Sequence, residues 1–223
     1  MHEPLNESSP PATGDLRIIL VGTQHPGNIG AAARAMKTMG LSRLVLVAPE
    51  KPLDDDAYRR SAGAEDVLDA APVHATLAEA VADCRLVLGC TARSRRVQLE
   101  QLEPDVAAGR LLRLAGEGPV ALVFGRERTG LTNEELQLCH ASVHIPSDPD
   151  FSSLNLAAAV QVLAYELRMA MLSAEPTPAS DADATAEPPA SHAELEGFFA
   201  QLGETLDAID FHKGRTPEPA LRK

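Results

Sequence analysis

Residues 120–124, Val-Ala-Leu-Val-Phe, form an unbroken apolar run that stops at Gly125. A strand with one wet face alternates apolar and polar residues; an unbroken run is covered on both faces, as in a parallel sheet layered with helices. Similar runs occupy residues 18–21, 44–47, 86–88 and 143–145. Helical patterns lie between them at 28–40, 77–83 and 133–140, with Gly40 as a helix stop and Thr132-Asn133-Glu134-Glu135 as a helix start. This alternation predicts an α/β fold, a mostly parallel sheet with helices on both faces.

A longer helix is expected over 153–171. Its apolar residues, among them Leu156, Val160, Leu163, Leu167 and Met171, cover more than one face, so it is sandwiched in the core or shared with a second subunit. Residues 173–191 are rich in Ala, Pro, Asp, Thr and Ser with no basic residue, the composition of a disordered linker. Residues 192–209 regain helical periodicity through Leu195, Phe198, Phe199, Leu202 and Leu206, and the basic ending reads as a helical extension that is incomplete. The expected division is a flexible N-terminus (1–15), one domain (16–172), the linker (173–191) and the extension (192–223).

Charge and aromatic content restrict the partners. The formal net charge is -12. Up to Leu172 there are 16 Lys+Arg against 22 Asp+Glu, and beyond it 4 against 10, so half of the excess sits in the short tail. A nucleic-acid partner therefore needs a local basic patch, such as the arginines at predicted strand ends. With no Trp, five Phe and two Tyr, the chain cannot bind nucleic acid mainly by many exposed stacking rings. No apolar run approaches a membrane span, and Cys84, Cys90 and Cys139 have no metal-ligand spacing. They read as reduced, mostly buried thiols of a cytoplasmic protein.

Three segments carry polar residues in places where a buried strand–helix frame would not need them. The first is His25-Pro26-Gly27-Asn28-Ile29-Gly30, which follows the first strand. Its glycines permit close backbone approach, and Asn28 suits a helix cap. Arg34 lies about two turns further along an otherwise small-residue helix face. The second is Gly125-Arg126-Glu127-Arg128-Thr129-Gly130, whose charges also make a plausible solvated ion-pair cluster. It has the spacing of neither common phosphate-binding loop. The third is Phe151-Ser152-Ser153-Leu154-Asn155, where a serine serves as a helix cap and Asn155, a poor helix former in a first turn, suggests a polar task. Ser153 lacks a nucleophile elbow. His140 and His144 straddle a helix end and a strand, so they read as structural rather than metal-binding. A nicotinamide-binding Rossmann domain is disfavoured by the glycine spacing after the first strand.

Taken in order, Ala33-Arg34-Ala35-Met36-Lys37-Thr38-Met39-Gly40, Thr91-Ala92-Arg93-Ser94-Arg95, Leu122-Val123-Phe124-Gly125-Arg126-Glu127-Arg128 and Ser152-Ser153-Leu154-Asn155-Leu156-Ala157 resemble the motifs of the SPOUT superfamily of RNA methyltransferases, in its TrmH-like branch. The resemblance covers residues 17–172. It implies a C-terminal deep trefoil knot, S-adenosyl-L-methionine as cofactor, a homodimer, no metal, and methylation of a ribose 2′-hydroxyl in tRNA at position 32 of the anticodon loop. It assigns catalysis to Arg34, Ser153, Asn155 and Asn28, with Arg34 as the group that takes or polarises the hydroxyl proton; because arginine is almost always charged, we read it instead as binding the adjacent phosphate and orienting the hydroxyl. It assigns the cofactor to Cys90, Thr91, Ala92, Gly125, Ile145, Ser152, Ser153 and Leu154, with Gly125 leaving space. Arg93, Arg95, Arg126 and Arg128 are the candidates for RNA phosphates. The alternatives within this frame are a ribosomal RNA or another tRNA position as substrate, or a non-catalytic RNA-binding module.

Overall fold

The computed structural model describes residues 14–92, 99–173 and 190–209. Most of the N-terminus and linker, the final residues, and Arg93 and Arg95 therefore fall outside the described residues. The elements run β1 (Leu16–Val21), α1 (Pro26–Thr38), β2 (Leu44–Val47), α2 (Asp55–Ser61), α3 (Glu65–Asp69), β3 (Val73–His74), α4 (Leu77–Val81), β4 (Leu86–Cys90), β5 (Gln101–Leu102), α5 (Pro104–Ala115), β6 (Val120–Phe124), α6 (Asn133–Gln137), β7 (Ala141–Val143), α7 (Leu156–Ser173) and α8 (His192–Ala208).

The strands form one sheet in the order β3-β2-β1-β6-β4-β7-β5, with every pairing parallel. The continuous apolar runs follow from its two-sided burial. On β1, Ile18 and Leu20 belong to a core with α1, α5 and α7, while Ile19 and Val21 belong to a second core with α4 and α6. All five residues of β6 are buried. Chain order reverses around β1 and β6, and a crevice opens at the carboxyl ends of the strands there.

Several boundaries differ from those expected. The last strand is Ala141–Val143 rather than 143–145: all three residues pair with β4, and Ser142 and Val143 pair with β5. Ile145 hangs beyond the sheet. The long helix begins at Leu156, since Asn155 Oδ1 accepts from the Ala157 N–H at 2.9 Å and the Asn155 carbonyl accepts from Ala159 N–H at 2.9 Å. Asn155 is thus a cap and not a first-turn residue. Asn28 is the converse: His25 is the N-cap of α1, Pro26 opens the helix, and Asn28 lies inside the first turn. Helices α2, α3 and α5 and the two-residue strands β3 and β5 have no counterpart among the expected elements. α2 buries only Ala57 and Ser61 and so writes no strong apolar stripe, whereas α5 sets Ala107, Ala108, Leu111 and Ala115 along one face at helical spacing.

The glycines of α1 serve packing. A Cβ on Gly30 would lie 1.9 Å from the Ala57 carbonyl oxygen, and one on Gly27 2.1 Å from Asp56 Oδ2. The close approach foreseen at these positions is made by α2. α7 packs on α1 and α5 through Leu156, Val160, Leu163, Ala164, Leu167 and Met171, and exposes Tyr165, Met169 and Leu172 on its other side. At 18 residues and a mean hydropathy of 1.3, α7 passes the length and composition test for a membrane span, contrary to the expectation that no run would. A third of that stretch is buried, on the face turned to α1 and α5, which accounts for part of the apolarity.

At the amino edge of the sheet, Arg17 bridges Asp15 (2.8 Å) and Asp83 (2.6 Å) and holds both carboxyls below their usual range. Close by, α8 docks through its first turn: His192 N–H donates to the Cys84 carbonyl at 2.8 Å and Ala193 N–H to the Ala82 carbonyl at 2.9 Å. The His192 ring meets His140 edge-on at 5.9 Å, and His140 Nδ1 accepts from the Val87 N–H at 2.9 Å.

Two predictions follow from this packing. Gly30→Ala should lower stability by about 1–3 kcal/mol through overpacking against α2, whereas Gly109→Ala on exposed α5, where a Cβ meets nothing within 4 Å, should raise it by about 0.5–1 kcal/mol; thermal unfolding of the pair checks both. Burial, and secondarily His192, lowers the pKa of His140 from 6.5. The unfolded chain then binds the proton more readily, so stability is present above about pH 6.5 and falls as pH drops below it. Thermal unfolding across pH 5–8 should show this loss, and His140→Asn, which keeps an acceptor for Val87, should flatten it.

Candidate functional site

The crevice at the ends of β4 and β6 holds a cavity of about 130 Å³ whose mouth is open to solvent. Cys90, Thr91, Ala92, Gly125, Ile145, Ser152, Ser153 and Leu154 all line it. The eight come from four stretches of chain that only the fold brings together. Phe124, Ile145, Leu154 and Leu156 supply apolar walls, and Thr91, Ser152 and Ser153 add hydroxyls. Burial pushes the Cys90 thiol up to about 12, so it is a neutral part of the wall and no nucleophile. The other two cysteines are also free and buried, with thiols raised to about 12.

Gly125 lines the cleft, but its missing side chain serves the loop itself. A Cβ there would lie 2.2 Å from both the Gly130 carbonyl carbon and the Leu131 nitrogen. The loop closes through paired backbone hydrogen bonds between Arg126 and Gly130, 2.8 and 3.2 Å, and Gly130 takes φ +68°. The space foreseen beside Gly125 for a ligand is therefore filled by protein backbone.

The charged residues of this loop do not form one solvated cluster. Arg126 Nη1 reaches both carboxylate oxygens of Glu135 at 3.0 Å, and its stem covers Gly22, where a Cβ would lie 2.6 Å from Arg126 Nε. Glu135 also closes the capping box with Thr132 that starts α6. The guanidinium proposed for RNA thus has an internal partner. Arg128 is exposed and, among the described residues, makes no hydrogen bond or ion pair.

Glu127 turns inward. It accepts from Asn28 Nδ2 at 2.9 Å, Gln24 N–H at 3.0 Å and His25 N–H at 3.2 Å. Burial alone would push its carboxyl up, but these donors and its own backbone N–H outweigh burial and hold it below the ordinary value of 4.5. Asn28 then presents Oδ1 to Asn155 Nδ2 at 3.3 Å. A chain of hydrogen bonds therefore joins the β6 loop, the first turn of α1 and the cap of α7. Nothing in the sequence marks Glu127 as its anchor, because its partners lie about a hundred positions away.

Asn28 and Asn155 are thus together, with exposed Ser153 two residues from Asn155 on the cleft wall. Arg34 lies six residues along α1 from Asn28, about 9 Å up the axis. It is exposed and has no hydrogen bond or ion pair among the described residues. His144 Nδ1 lies 3.3 Å from the Thr91 carbonyl oxygen, and no group of three metal-binding side chains occurs among the described residues.

Comparison with known proteins sets this geometry in a family. Residues 15–165 match the SpoU rRNA Methylase family. The chain is 54% identical over 214 residues to the tRNA (cytidine/uridine/adenosine-2′-O-)-methyltransferase TrmJ of Pseudomonas aeruginosa, covering 93% of this chain and 83% of that one. It is 47% identical over 209 residues to the tRNA (cytidine/uridine-2′-O-)-methyltransferase TrmJ of Yersinia enterocolitica, covering 94% and 81%. Among solved structures, TrmJ from Z. mobilis superposes with a TM-score of 0.76 at 38% identity, covering 92% of this chain and 86% of that one.

Removing the anchor should loosen the turn before the cleft loses its shape. In Glu127→Ala, hydrogen exchange at the Gln24 and His25 amides, corrected for intrinsic rates, should accelerate while the β1 amides stay protected. The wild-type carboxyl titrates below 4.5 when folded, so its contribution is present above that pH and is lost as pH falls through the lower folded value. Unchanged exchange at both amides would remove Glu127 from this role.

Proposed function

The chain belongs to the SpoU rRNA Methylase family, and on that footing we propose that it is a cytoplasmic enzyme that methylates a ribose 2′-hydroxyl of tRNA, at position 32 of the anticodon loop, with S-adenosylmethionine as donor. Cytidine and uridine are both accepted, the two bases shared by the names of the TrmJ relatives, one of which adds adenosine. The observation that carries this reading is the meeting of all eight cofactor candidates in one cleft, with Ser153, Asn155 and Asn28 at its edge.

The cleft's donor set suits that cofactor: apolar walls for an adenine, hydroxyls and strand-end backbone for its polar edges, and no competing metal cage among the described residues. Cys90, Thr91, Ala92, Ile145, Ser152 and Leu154 would hold it, and Gly125 acts by letting the loop close. When bound, S-adenosylmethionine supplies a methyl group already activated by its positive sulfur, so no metal is needed. The remaining task is to present a poor nucleophile in the correct place. Arg34, permanently charged and without an internal partner among the described residues, binds the phosphate beside the target ribose and orients the hydroxyl. Ser153 and Asn155 complete its hydrogen bonds, and Asn28 holds Asn155 in register.

Around this centre we read residues 16–172 as the catalytic domain, its C-terminal part threaded as a trefoil knot, with 173–191 as linker and 192–223 as a helical extension. The protein acts as a homodimer, a reading supported by the exposed apolar side of α7 at Tyr165, Met169 and Leu172. A groove across two subunits would gather Arg93, Arg95 and Arg128 for RNA phosphates on an otherwise acidic body. Arg126 contributes by fixing the loop from which Arg128 projects. Ribosomal RNA is the second reading, carried by the family's own description.

Transfer of labelled methyl from S-adenosylmethionine to unmodified tRNA, followed by mapping of the labelled nucleotide, tests the proposal. Label is expected at ribose 32. Arg34→Ala should reduce transfer by about a hundredfold, the scale of a misplaced reactant, with cofactor affinity by calorimetry unchanged. Label on ribosomal RNA alone would favour the second reading, and absence of both transfer and cofactor binding would overturn the first.

A further inference from the structure

Phe151 is 85% exposed, the most open of the described phenylalanines and tyrosines, ahead of Phe198 at 57% and Tyr165 at 48%. Singly exposed apolar residues are common on protein surfaces; what sets this ring apart is the way its turn is held beside the cleft. The ring is not displayed by a slack loop. Phe151 N–H donates to the Asp148 carbonyl at 3.1 Å, Asp150 N–H to Asp148 Oδ1 at 2.8 Å, and Ser147 Oγ to the Ser152 carbonyl at 3.1 Å. These bonds turn the chain so that Ser152 and Ser153 face into the cleft while the ring between them and Asp150 stands out at its rim.

We infer that Phe151 is a stacking platform for a nucleobase of the RNA substrate, at or beside the nucleotide whose ribose is methylated. The inference rests on the proposed function. Three observations favour a base over other occupants. The next two residues line the cleft in which the ribose must meet the donor, so a nucleotide positioned there brings its base within reach of the rim. The segment around the ring carries Asp148 and Asp150 and no cation that would bind a second phosphate, so phosphate contacts fall to Arg34 and Arg128, and this side is left to the base. Finally, a site that accepts both cytidine and uridine gains from a contact with the π-face, which every base has, rather than with an edge, which differs between them.

Steady-state transfer to tRNA with Phe151→Leu and Phe151→Trp separates stacking from mere apolarity. Leu keeps an apolar side chain but no ring. It should raise KM for tRNA roughly tenfold, the scale of one base–aromatic stack, with cofactor affinity, melting temperature and sedimentation unchanged. Trp should restore the wild-type value. An unchanged KM in Phe151→Leu, with wild type active on tRNA, overturns the inference and leaves the proposed function standing. Weakened cofactor binding would assign the ring to the cofactor's adenine, and a lost dimer would assign it to a second copy of the chain; either outcome overturns the RNA assignment. If wild type itself fails to methylate tRNA, the proposed function falls and this inference with it.

Discussion

Glu127 is the tie on which the site depends. A carboxylate turned away from water is costly to keep charged, and Glu127 stays charged because Asn28 and the amides of Gln24 and His25 point at it. Hydrogen bonds to charged groups contribute roughly 1.5–3 kcal/mol each, enough to fix one turn and one loop against each other. Asn28, held on one side by Glu127, is free to orient Asn155 on the other. The start of α7, the serines before it and the rim of the cleft take their positions from that relay.

Division of labour among neighbouring charges is the second principle. Arg126 and Glu127 are adjacent in sequence yet turn opposite ways, one toward Glu135 and α6, the other toward α1. Arg128 is left to solvent. Two paired charges thus hold the loop so that an unpaired one can be presented. The same logic appears on α1, where Lys37 is spent on Asp66 at 2.6 Å while Arg34, one turn earlier, is left unpaired among the described residues.

Strand type and the parallel sheet were legible because two-sided burial leaves no alternation: Ile18 and Ile19 enter different cores, and both must be apolar. The cleft lining was legible through family resemblance, since no local pattern links Cys90 to Ser152. Two kinds of feature were not. A helix such as α2, which buries only Ala57 and Ser61, gives a faint periodic signal. Glycine roles were misdirected, because sequence shows that a backbone can be approached but not by what. Gly27 and Gly30 admit α2, and Gly125 admits Gly130. Asn28 and Asn155 exchanged their expected places, cap for helix interior, because Pro26 opens α1 two residues earlier and Asn155 holds the Ala157 amide.

The sheet order has a consequence for how the molecule is made. β1 lies between β2, which follows it within thirty residues, and β6, whose first residue comes about a hundred positions later. Until Val120–Phe124 has left the ribosome, one edge of β1 stays open, with Ile18 and Leu20 lacking the neighbours that complete their core. Glu127 arrives directly behind β6, and Asn155 about thirty residues later still. The functional centre is therefore assembled last, from its most distant parts. Closure of such long loops is slow, so a nascent chain keeps this edge of β1 unguarded until residues 120–124 have emerged, and the demand for chaperone protection is expected to last to that point.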